Sequence, residues 1–173
     1  MAVILPVSIF FISSCSDRPD QQAVIKSYPV KNLDGLLTAD GVEFDPEISS
    51  DGDGSIKIIA PESTTVRLYE TGDINIEQTR LVYRAKIRTE RVIGQVFLEM
   101  WCAFEGKGEY FSRGLWTLVS SDTDWTDTET QFYLKTDENP DNIKLNLVIN
   151  GSGTVWVDDI KLVKHPLTRD EQL

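Results

Sequence analysis

Histidine occurs once in this chain and cysteine twice, and these scarcities rule out several kinds of chemistry. His165 sits beside Pro166 in a polar C-terminal stretch, so a Ser-His or Cys-His mechanism has no base in the body of the chain. Zinc lacks a nitrogen and sulfur ligand set. There is no phosphate-cradling glycine loop and no dinucleotide fingerprint. After the N-terminal run, no window carries a helical apolar stripe, although Gly72 to Gln78 has room for one turn. Basic residues are also in short supply, 17 against 28 acidic, for a net charge of -11. That balance argues against nucleic acid, whose phosphates need clustered Lys and Arg, and against peripheral adhesion to anionic lipid.

What is present begins at the N-terminus. An uncharged apolar run from Met1 to Phe11 leads into Ile12-Ser13-Ser14-Cys15 and then into polar Ser16-Asp17-Arg18-Pro19-Asp20. About 13 apolar residues fall short of the ~20 that span a bilayer, and a core strand would not run straight into such a polar stretch. The segment resembles a bacterial lipoprotein signal, in which small residues precede the cleaved bond. Signal peptides usually open on Lys or Arg, and here the first basic residue is Arg18. The resemblance implies a signal peptide over residues 1–14 and diacylglycerol on Cys15, with attachment to the cell envelope through lipid. In a Gram-negative host, Ser16 after that cysteine implies the outer membrane. With Cys15 acylated, Cys102 has no intrachain partner and reads as a buried, inert thiol in the run Val96 to Phe104.

Residues 15–30 are expected as a lipidated cysteine and polar tether, 31–165 as one domain, and 166–173 as a polar tail. Within the domain the period is two. Leu81, Tyr83, Ala85 and Ile87 face one way and Val82, Arg84, Lys86 and Arg88 the other; Val96, Leu98, Met100, Cys102 and Phe104 form an unbroken apolar face. Ile143, Leu145, Leu147 and Ile149 alternate with Lys144, Asn146 and Val148. Short strands separated by Asp, Gly, Asn and Pro predict an all-β, antiparallel β-sandwich.

Three segments resemble the galactose-binding-domain-like jelly rolls, which include many carbohydrate-binding modules. Asn150-Gly151-Ser152-Gly153-Thr154-Val155-Trp156-Val157-Asp158-Asp159-Ile160 is similar to their closing segment, where a Gly-x-Gly turn enters a strand centred on two aspartates. Gly52 to Ile58 is similar to an early strand, and Asp124-Trp125 to the entry of a middle one. The resemblance implies a jelly roll, and a structural calcium on Asp159 or Asp158 with Asp45, Glu43 or Asp51 as an early partner. Capping of backbone amides or pairing with Lys accounts equally well for the same carboxylates.

A ligand surface is expected on the outward strand faces. Arg84, Lys86 and Arg88 form a basic row, and Phe97, Glu99 and Trp101 stand beside it if a hairpin turns through Thr89 to Gly94. Tyr133, Gln131, Lys144 and Asn146 extend the set. Flat rings against sugar C-H faces, with charged and amide groups for hydroxyl pairs, suit a polysaccharide; a basic row also suits uronates. The plainer account is cross-strand charge pairing. The segment from Phe104 to Trp116, rich in glycine, charge and rings, is expected as an ordered hairpin with Glu109 and Arg113 paired, or else as a loop lining a site. Paired carboxylates among Glu99, Glu105 and Glu109 are the only opening for glycoside chemistry. The expectation is a lipid-anchored, non-catalytic glycan-binding domain, the competing one a structural lipoprotein that docks another envelope protein.

Overall fold

The computed structural model describes residues 22–172. Cys15 and the expected signal peptide lie outside the described residues. Eight strands follow in order: β1 (Ala23–Tyr28), β2 (Val42–Asp45), β3 (Ser55–Ala60), β4 (Thr64–Gly72), β5 (Thr79–Phe104), β6 (Gly108–Arg113), β7 (Thr123–Leu134) and β8 (Asn142–Pro166). One short 3-10 turn, Asp170–Gln172, follows them. The fold is all-β and antiparallel.

Two strands build both layers. The first half of β5 lies between β7 and the second half of β8, and that half of β8 also carries β3, extended by β2, and β1. The second half of β5 lies between β6 and the first half of β8, whose far side carries β4. Because β5 and β8 run through both layers, all eight strands form one continuous hydrogen-bonded network. The apolar sets read from the alternation, Leu81 to Ile87, Val96 to Phe104 and Ile143 to Ile149, all join one buried cluster between the layers. Burying such side chains stabilises by roughly 1.5–3 kcal/mol each.

The crossing from one layer to the other depends on glycine. Gly94 pairs with Gly151 where β5 and β8 bend together, with φ of 118° and 146°. A Cβ on Gly94 would run into the Asn150 carbonyl, and one on Gly151 into the Ile93 carbonyl. Only glycine combines that φ with so close a backbone approach.

This bend corrects two expectations. Gly151 and Gly153 lie inside one strand and are not a turn that opens a new one. Likewise, Thr89 to Gly94 does not close a hairpin: the segment carrying Arg84, Lys86 and Arg88 continues into the other layer before reaching Phe97, Glu99 and Trp101. A glycine that re-aims a strand and one that reverses the chain leave the same mark in a sequence. At the N-terminal end, residues 23–28 were expected in the tether, but they pair with β8 as β1. At the C-terminal end, Arg80 binds Glu171 at 3.1 Å, so the polar tail is tied to the sandwich. No helix among the described residues is long and apolar enough to cross a membrane.

Candidate functional site

On the outward face of the second layer, register places Glu99 between Asn146 of β8 and Arg113 of β6, and Trp101 between Lys144 and Phe111. Glu99 is only 5% exposed. Its carboxylate accepts hydrogen bonds from the Trp101 indole at 2.7 Å, the Arg113 Nε at 2.8 Å and the Asn146 amide at 3.2 Å. Burial pushes this carboxyl up, but the three donors more than offset it and hold Glu99 below the ordinary glutamate value. Glu99 is therefore a fixed anion that sets the plane of the Trp101 ring, and its direction of shift is opposite to that of a glycosidase acid.

Trp101 packs on Phe111 with ring centroids 4.9 Å apart and planes tilted by 39°. The Arg113 guanidinium lies 4.7 Å over Phe111. Lys144 pairs with Glu109 at 2.6 Å. The result is a partly exposed aromatic platform rimmed by an amide, a guanidinium and an ammonium, each held by a partner.

Phe111 and Arg113 were not among the expected site residues. The hairpin through Glu105 to Lys107 joins β5 to β6 and sets Phe104 opposite Gly108, Trp101 opposite Phe111 and Glu99 opposite Arg113. Counting outward from that turn would have found them. Glu109 and Arg113, expected to pair with each other, bind Lys144 and Glu99 instead, because alternation puts both on the same outward face beside those strands. Phe97, expected among the ligand rings, is buried at 7% exposure.

The basic row belongs to the other layer. Arg84 donates twice to Glu129, at 3.0 and 3.2 Å. Arg88 binds Glu90 at 3.3 Å and Asp124 at 3.7 Å, over the Trp156 ring. Lys86 stands in register between Asp127 and Asp158. Tyr133 sits on β7 of this layer, opposite Arg80. The expected set is thus split: Glu99, Trp101 and Asn146 come together, while Arg84, Lys86, Arg88 and Tyr133 lie elsewhere.

Three of the candidate metal ligands, Asp158, Asp45 and Asp159, are engaged by the protein itself. Asp158, 1% exposed, accepts the Ser50 amide at 2.8 Å and hydroxyl at 2.7 Å, and its own neighbour's amide at 2.7 Å. Asp45 accepts the Trp156 indole at 2.9 Å and the amides of Glu47 and Ile48 at 3.0 Å. Burial acts to raise the Asp45 carboxyl, but these donors hold it below its ordinary value. Asp159 pairs with Lys161. Calcium needs oxygen acceptors turned toward it, whereas these carboxylates face N-H, O-H and ammonium donors. Among the described residues, no group of three or more His, Cys, Asp or Glu is arranged to hold a metal. The hydrogen bonds of Asp45 and Asp158 are those of carboxylates capping the loop from Asp45 to Gly54. Cys102 is buried, and burial pushes its thiol up to about 12, so it is not a nucleophile.

No family model matches this chain, and no curated protein does. Solved structures do. The CBM22-1–GH10 modules of a Clostridium thermocellum endo-1,4-β-D-xylanase, complexed with xylohexaose, align over 82% of this chain and 28% of theirs at 13% identity, with a TM-score of 0.61. The CBM22-1 xylan-binding domain of Paenibacillus barcinonensis Xyn10C aligns over 84% of this chain and 97% of its own at 11% identity and a TM-score of 0.60. A family 16 carbohydrate-binding module aligns over 81% and 99% at 15% identity and 0.57. The fold is the β-sandwich jelly roll of carbohydrate-binding modules. At such identities the likeness shows the fold alone, so function rests on the residues described above.

Proposed function

We propose that this chain is a non-catalytic polysaccharide-binding module, held at the surface of an envelope membrane by lipid on Cys15. The observation that carries the binding reading is the Trp101 ring. It is partly exposed beside the half-exposed Phe111 and fixed in plane by a buried carboxylate that Arg113 and Asn146 also hold. A sugar ring stacks on such a platform without ordering it first, which keeps the entropic cost of binding low. The xylan-binding neighbours share the architecture and support the same ligand class. The rims of this face are internally paired, Arg113 with Glu99 and Lys144 with Glu109, so it carries no surplus charge to select uronates.

The test is a polysaccharide array probed with the full chain. Trp101→Ala is expected to weaken binding by about 30-fold, equivalent to roughly 2 kcal/mol. Binding that ignores this substitution, or no binding to any polysaccharide, would overturn the reading. The anchor is tested separately by metabolic labelling with palmitate: label that persists in Cys15→Ser removes the lipid from the proposal.

A further inference from the structure

Every exposed aromatic ring among the described residues lies in one place. Tyr110, Phe111, Trp116 and Tyr133 all sit on β6, the loop after it, and β7. Trp116 is 99% exposed. Here the edge strands of the two layers run side by side, tied by the Thr130 hydroxyl donating to Ser112 at 3.0 Å. Two adjoining grooves mark the seam. One, of about 290 Å³, is lined by Arg113, Trp116, Thr117, Glu129, Gln131 and Tyr133. The other, of about 390 Å³, is lined by Phe104, Lys107, Tyr110 and Phe132, and it shares Tyr133. Volumes near 300 Å³ are at the lower end for small-molecule sites.

An added β-strand is a poor occupant for this edge. The Thr117 hydroxyl accepts from the Glu129 amide at 2.9 Å and donates to its carbonyl at 3.0 Å, so those backbone groups of β7 are already filled. In the first groove the charges do not call for an ionic partner either, since Arg113 is paired with Glu99 and Glu129 with Arg84. What remains is a flat indole, a phenol ring and an amide. Those groups suit an uncharged molecule with apolar C-H faces and many hydroxyls.

We propose that the seam between β6 and β7 is a second saccharide site, taking a neutral oligosaccharide, with Trp116 and Tyr133 as its stacking rings and Gln131 as its amide. The proposal rests on the glycan reading of the module and adds a site separate from the Trp101 face. The experiment is a calorimetric titration of the full chain, in detergent, with xylohexaose and with cellohexaose. The parent is expected to take two equivalents of one of them, Trp116→Ala one and Trp101→Ala one. Because Trp116 touches little, its replacement leaves the melting temperature unchanged, and a lost equivalent reports a lost contact. If Trp116→Ala and Tyr133→Ala both titrate like the parent, the seam site is overturned while the Trp101 face stands. If the parent binds neither sugar, both fall. If Trp116→Ala leaves the titrations unchanged but loses a co-purifying envelope protein, the seam is a protein-docking edge and the saccharide proposal is overturned.

Discussion

The outward faces of the two layers are built from the same alternating pattern on the same two strands, yet they come to opposite ends. On the first layer, Arg84, Arg88 and Trp156 meet Glu129, Asp124 and the loop from Asp45, and the surface closes on itself. On the second, Glu99 draws in one ring nitrogen, one guanidinium and one amide, leaving Trp101 and Phe111 as a platform. The difference lies in what neighbouring strands contribute. Facing carboxylates turn a basic row into a lattice of ion pairs, whereas a single buried carboxylate under a ring turns the same pleat into a fixed surface.

Four measurements sharpen that contrast. The largest effect is expected on the closed face. Asp158→Ala would leave the Ser50 amide without its acceptor and remove a buried charge that three donors hold, costing about 3 kcal/mol, near the upper figure for one charged hydrogen bond. That corresponds to a melting temperature roughly 6–12 °C lower, with sugar binding retained at low temperature. Excess chelator should leave the parent's melting curve unmoved, since protein donors already satisfy these carboxylates; a fall would show a bound structural calcium.

The next effect concerns acid. The folded Glu99 lies below its ordinary value, so its contribution to stability is complete above the usual carboxylate range, near pH 4.3, and is lost as pH falls through the folded value. Asp45 and Asp51 are also lowered and share that window. The difference between the parent and Glu99→Gln therefore isolates the one group: the parent should lose stability relative to the variant below about pH 4. Parallel curves would mean that Glu99 is not held as described. The smallest effect belongs to Arg84→Gln. Its pair is partly exposed, so less than about 1 kcal/mol is expected, with no change in polysaccharide affinity. A large loss of affinity would move the ligand to the closed face.

Much of this fold was legible in the sequence because burial imposes a strict period of two. Leu81 to Ile87, Val96 to Phe104 and Ile143 to Ile149 face inward as read. The geometry of the candidate site was legible only in part. Glu99, Trp101 and Asn146 were found because they share an outward face, but joining them to Arg84 and Lys86 required a turn where glycine makes a bend. Phe111 and Arg113 were missed for a related reason: cross-strand partners depend on register, which a single strand's pattern does not carry. β1 was missed because four of its six side chains are exposed, so its pairing with β8 leaves little apolar signal.

The place of β8 has a consequence for how the chain becomes a protein at all. This last strand pairs with β1, β3, β4 and β5, and its end at Pro166 lies beside Thr79. Contacts that span so much sequence form slowly, because the loops they close are long. While the C-terminal strand is still being made, β1 and the first half of β5 lack the neighbour that joins them, and the layers have nothing to fold around. The pairs β2–β3 and β5–β6 close locally, but the core between the layers is complete only once β8 docks.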